Sequence, residues 1–148
     1  MRLLAIATRF AIGALLVIAA AYDLRSFRIP NPIPLALIAL FTLSVVIGVE
    51  GALPPHIVSF GIASLVGIGL FAGHIWGGGD TKLTSAFALF LTPGDLSRFF
   101  LVTTLTGGVI ALLVLIAKRM GNEPRMKCAS IPYGLALAVG GLDWCLLS

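Results

Sequence analysis

Two aspartates in this 148-residue chain stand where the backbone is broken rather than where it is regular. Asp23 ends a long apolar run, in Tyr22-Asp23-Leu24-Arg25-Ser26-Phe27-Arg28-Ile29-Pro30-Asn31-Pro32-Ile33-Pro34. Prolines at 30, 32 and 34 disfavour helix and predict extended geometry at Ile29, Asn31 and Ile33. Asp80 follows three glycines, in Gly77-Gly78-Gly79-Asp80-Thr81-Lys82-Leu83. There its side chain can cap a short helix and sit at the positive end of the helix dipole. Two carboxyls brought close in a low-dielectric site cannot both ionise easily, so they share a proton and titrate as a pair. One can then activate water while the other protonates or polarises a scissile carbonyl, the aspartic-protease solution. Nothing else in the chain offers hydrolysis. No serine has a plausible base, and neither His56 nor His74 has a metal-ligand partner at useful spacing. Taken singly, Asp23 also reads as an interfacial charge paired with Arg25 or Arg28, and Asp80 as a plain helix cap. Spacing alone does not decide between these readings.

The elements that must position these carboxyls follow from composition. Hydrophobic residues make up 59% of the chain and charged ones only 11%, with a mean hydropathy of +1.08. Soluble domains carry roughly 25% charged residues, so a soluble enzyme, a disordered chain and a nucleic-acid binder are all poor readings. A membrane helix takes about 20 apolar residues, and charge-free runs mark six candidate segments. They cover 3–22, 33–49, about 56–76, 83–94, 99–117 and 128–142. The fold expected is all-α, a polytopic helical bundle in which 1–148 form a single integral-membrane domain with no separate soluble domain. The fourth run is too short to cross a hydrocarbon core of about 30 Å, so it is read as a partial or re-entrant segment. The apolar start of the chain is read as the first membrane helix rather than a cleaved signal, because Arg9 interrupts it.

The net charge of +4 is spread in twos and threes between apolar runs, which suits membrane orientation rather than nucleic acid. Loops after segments one, three and five hold Arg25, Arg28, Lys82, Lys118, Arg119, Arg125 and Lys127, while the other side holds Arg2, Arg9 and Arg98. The positive-inside rule makes the first set cytoplasmic, and both aspartates go with it. The cationic run from Lys118 to Lys127 also suits anionic lipid headgroups. Gly107-Gly108 and Gly140-Gly141 suit close helix packing. Cys128 and Cys145 have no paired spacing and fall near opposite faces, so no disulfide is expected.

Asp23 with Ile29-Pro30-Asn31, followed by Gly77-Gly78-Gly79-Asp80-Thr81-Lys82-Leu83, resembles the type IV prepilin peptidases, membrane aspartic proteases with a G-x-G-D signature. Ile131-Pro132-Tyr133-Gly134 is similar to the closing motif of that family. The resemblance implies an aspartic endopeptidase that removes the short basic leader of prepilin or pseudopilin substrates, just before the substrate's hydrophobic N-terminal helix, at the cytoplasmic face of the bacterial inner membrane. Asp23 and Asp80 would be its catalytic pair, with Gly77, Gly79, Lys82, Pro30 and Asn31 as supporting motif residues and no metal. Orienting or tuning Asp80 is one role for Lys82. Longer family members carry paired C-x-x-C motifs and a second, N-methylating activity. This chain has no C-x-x-C, resembles the minimal form associated with tight-adherence (Flp-type) pili, and is expected to lack methyl transfer and to need no cofactor. Expected partners are the substrate and membrane lipid, not nucleic acid, and the sequence is silent on oligomeric state. Two other classes compete: a small proton-coupled transporter or channel, since intramembrane acids often mark ion paths, and a non-catalytic assembly subunit of a secretion or pilus machine.

Overall fold

The computed structural model describes residues 2–26, 28–119 and 133–147. They form six helices: α1 (Arg2–Ser26), α2 (Pro32–Val46), α3 (Leu53–Ala72), α4 (Gly78–Ala88), α5 (Pro93–Arg119) and α6 (Tyr133–Leu147). No strand occurs among the described residues, and the architecture is an all-α polytopic bundle. The expectations for Arg125, Lys127, Cys128, Ile131 and Pro132 fall outside the described residues.

Three helices, α1, α3 and α5, are long and apolar enough to cross a membrane. Their outward faces suit lipid: Leu3, Phe10, Leu65 and Leu105 are each more than 60% exposed. This is a membrane protein. Its six segments are unequal, however. At 1.5 Å per residue, α2 and α6 with 15 residues each reach about 22 Å, and α4 with 11 reaches about 16 Å.

The fourth segment, expected over 83–94, is instead the helix Gly78–Ala88, because Asp80 caps its start from within. Three other helix starts differ from those expected for one recurring reason. A proline in the first turn gives up an N–H that has no intrahelical partner anyway. Pro32 and Pro34 therefore open α2 instead of stretching the chain, and Asn31 before them is helical, at φ −56° and ψ −29°. Pro54 likewise lets α3 start at Leu53, ahead of the expected 56, and the helix stops at Ala72. His74 lies beyond it in a left-handed turn, at φ 57°. Pro93 opens α5 six residues earlier than expected. Thr92 and Asp95 cap that start reciprocally: the Asp95 N–H donates to Thr92 Oγ1 at 3.4 Å, and Asp95 Oδ2 accepts from the Thr92 N–H at 3.3 Å.

The short helix α4 is the hub. It packs on α2, α3 and α6, and Leu83, Thr84, Ala86, Phe87 and Ala88 are each at most 1% exposed. Packing against these three helices makes so short a segment tolerable at membrane depth. A turn at Leu89-Phe90 then carries the chain to α5. Helix α6 lies antiparallel between α1 and α5. Near its start Gly134 meets Asp23 of α1 and Tyr133 meets Gly107 of α5. Near its end Asp143 pairs with Arg98 of α5 at 3.0 Å, and Trp144 lies under the Arg9 guanidinium at 5.7 Å. Small residues permit the sandwich: a Cβ on Gly140 would strike Thr103, and one on Gly141 would strike Leu16. Gly107 serves the same packing, whereas Gly108 faces open space.

Candidate active site

Asp23 sits in the last turn of α1 and is 6% exposed. Its Oδ2 accepts a hydrogen bond from the Gly134 N–H at 2.8 Å, across 111 positions of sequence. That donor belongs to the first turn of α6, where backbone N–H groups lack intrahelical partners and the dipole favours negative charge. Gly134 leaves no room for a side chain. A Cβ there would stand 2.8 Å from Asp23 Cβ and 2.9 Å from its Cγ, closer than carbon atoms pack.

Asp80 is held in the same manner by a different helix. Gly77, with extended backbone at φ −77° and ψ 157°, precedes α4 and places Asp80 in the first turn. Oδ2 of Asp80 turns back to accept the Gly77 N–H at 3.1 Å. The carboxylate thus satisfies the N-terminus from inside the helix, rather than from the flanking cap position. Its other oxygen, Oδ1, is buried with no partner among the described side chains and backbone. The glycines of the signature now have separate reasons. A Cβ on Gly77 would press on Asp80 Oδ2 at 3.2 Å. One on Gly79 would meet Ile29 at its Cβ (3.0 Å) and backbone nitrogen (3.2 Å). A Cβ on Gly78 would make only an ordinary contact with Phe71, at 3.6 Å.

Gly79 therefore lets the Ile29-Pro30 loop lie on the first turn of α4, and that approach closes the site. Asp23, Arg28, Ile29, the three glycines and Asp80 line one cavity of about 220 Å³. With each water taking roughly 30 Å³, it has room for several waters or for an extended stretch of peptide backbone. Arg28 and Gly77 at its rim are exposed, and both aspartates line the same cavity. The arrangement can hold a water between two acids, each steered by a helix N-terminus. Among the described residues no group of three or more metal-ligating side chains occurs.

The other motif residues stand elsewhere. Lys82 donates from Nζ to Asn31 Oδ1 at 3.1 Å, and both face away from the aspartate cavity into a neighbouring groove. Lys82 thus ties the Ile29-Pro30-Asn31 loop to α4 instead of contacting Asp80. Pro30 contributes its carbonyl, which accepts the Ile33 N–H at 3.1 Å and turns the chain into α2. His56 does not line the aspartate cavity; it is buried on the Phe41 ring, 3.8 Å from Glu50. What the residue types did not reveal is the part of Gly134, because a backbone donor leaves no mark in side-chain chemistry.

No curated protein and no solved structure matches the chain. The model of the type IV leader peptidase family matches residues 10–112, which include both aspartates and both glycine-marked and proline-marked breaks. The chain belongs to the type IV leader peptidase family, a family of proteases.

Proposed function

We propose that this protein is an intramembrane aspartic endopeptidase that removes the short basic leader from prepilin-like substrates at the cytoplasmic face of the inner membrane. The observation that carries the reading is the cavity in which Asp23 of α1 and Asp80 of α4 converge, 57 positions apart in sequence. In the reaction one carboxylate takes a proton from water as the oxygen attacks the scissile carbonyl. The other, protonated, carboxyl gives its proton to the carbonyl oxygen, forming the tetrahedral diol. Collapse breaks the C–N bond, the leaving amine takes the proton held by the first carboxyl, and the second recovers its own from the diol. The Gly134 and Gly77 N–H groups keep each carboxyl in place throughout.

Purified protein in liposomes is expected to release the leader from a prepilin substrate with or without a chelator. The new N-terminus should stay unmethylated when a methyl donor is supplied, as read by mass spectrometry. Loss of cleavage with the chelator, or a methylated product, would count against the reading.

The cytoplasmic side is supported by charge. Arg28 is exposed at the rim of the aspartate cavity, Arg25 is exposed in the last turn of α1 and Lys82 on α4, and α5 ends at the exposed Arg119. Ser26, exposed at the end of α1, is the residue with which to test it. A Ser26→Cys variant carrying Cys128→Ser and Cys145→Ser should resist an impermeant maleimide in intact cells and react with it in inverted vesicles. Reaction in intact cells would turn the molecule over and remove the cytoplasmic site.

A further inference from the structure

Helices α2 and α3 are consecutive in the chain, yet each packs on α4 rather than forming a pair with the other. A groove of about 460 Å³ results, roughly twice the aspartate cavity. Leu35 and Ile38 wall it on α2, Phe60 and Ile68 on α3, and Ser64 and Ser85 lie at its floor. The four wall residues are 38–63% exposed, so in a membrane the groove opens sideways to lipid. Its floor is small and chemically quiet: Ser64 Oγ donates to Ser85 Oγ at 3.1 Å, and Ser85 Oγ donates to the Thr81 carbonyl at 2.9 Å. At its mouth stands the Lys82–Asn31 pair, two motif residues that do not line the aspartate cavity. Thr81, which also lines the groove, is bonded directly to Asp80.

We propose that this groove seats the apolar helix of the substrate, with the bond to be cut lying at the Asp80 end. The proposal rests on the peptidase reading above. A substrate whose cleavage point adjoins a hydrophobic helix must keep that helix in the bilayer while its end reaches Asp80. Only a hollow open to lipid and continuous with the α4 first turn allows both. Two other apolar hollows, one at Phe10 and Leu146 and one at Leu4 and Ile47, lie toward the opposite end of the bundle. The dimensions also fit. The α3 wall from Phe60 to Ile68 spans eight residues, about 12 Å or two helical turns. A helix about 10–12 Å across fills such a volume with one face and leaves the other to lipid. The exposed apolar walls select the occupant: the apolar part of the substrate goes in and the leader lies beyond Asp80.

The test compares two substrates: a full prepilin in liposomes, and a short soluble peptide spanning the cleavage point without the apolar helix. Ser64→Phe fills the floor, and Leu35→Trp narrows the rim at an exposed position that folding tolerates. Each is expected to raise KM for prepilin roughly tenfold with kcat nearly unchanged, and to leave kcat/KM for the short peptide as in wild type. A photo-cross-linker at Leu35, in protein carrying Asp80→Asn, should attach to the apolar helix of prepilin. Equal losses on both substrates, no change on prepilin, or cross-links to lipid alone would overturn the groove while leaving the peptidase reading intact. Wild-type protein that cuts neither substrate would sink the peptidase reading, and the groove proposal with it.

Discussion

Asp23→Asn and Asp80→Asn are each expected to abolish leader cleavage while leaving a folded, membrane-inserted protein. Asparagine keeps the volume of aspartate and one carbonyl oxygen, so it can still accept the Gly134 N–H at position 23 or the Gly77 N–H at position 80. What it removes is the titratable oxygen. A water-activating pair needs one ionised and one protonated member, and an amide can be neither. Groups that act as a unit are strongly non-additive, so the double variant should be hardly worse than either single one. Folding should survive, because removing one of two crowded acids relieves repulsion between them. The measurement is leader release by purified wild type and variants, matched for thermal unfolding in the same detergent. Appreciable cleavage by either folded single variant would sink the dyad. An assembly subunit would tolerate both changes, and a proton conduit would lose transport with no peptide bond at stake.

Gly134→Ala should cost nearly as much activity through an atom that does no chemistry. The new methyl would sit 2.8 Å from Asp23 Cβ, an atom fixed to the α1 backbone rather than the free end of a flexible chain. Either α6 retreats, breaking the 2.8 Å hydrogen bond to Oδ2, or Asp23 rotates away from Asp80. A displacement of about 1 Å at a reacting group can cost roughly a hundredfold in rate, and overpacking costs about 1–3 kcal/mol of stability. Gly140→Ala supplies the control on the same helix. Its methyl would collide with Thr103 and Phe99, well away from the carboxyls. Both variants should lose thermal stability, but only Gly134→Ala should lose cleavage per folded molecule, with kcat falling more than KM rises. Equal specific activity in the two variants would remove Gly134 from the site and leave it a packing residue.

The resemblance that pointed to the family is now attached to separate physical tasks. Gly77 gives the Asp80 carboxylate space to fold back onto its own helix end, and Gly79 lets Ile29 close the cavity. Lys82 and Asn31 bind the two motif segments together on the groove side of α4. The lysine therefore fits substrate seating better than tuning of Asp80, since its amine is committed to an amide oxygen and not to a carboxylate.

Composition and pattern were enough to establish an all-α membrane bundle with six helical segments, and they singled out the two aspartates. Burial in lipid imposes long apolar runs that are visible in one dimension, and an acid at a backbone break stands out against them. Helix starts were less legible. Proline reads as a breaker in sequence, but at Pro32, Pro54 and Pro93 it occupies first turns that need no N–H. Two features were settled only by tertiary packing. One is the meeting of Asp23 with Asp80, which depends on α4 being enclosed by α2, α3 and α6 so that its first turn faces the end of α1. The other is the hold of Gly134 on Asp23. A backbone N–H is common to every residue but proline, and its aim is set by how closely two helices approach, a distance that no local pattern encodes.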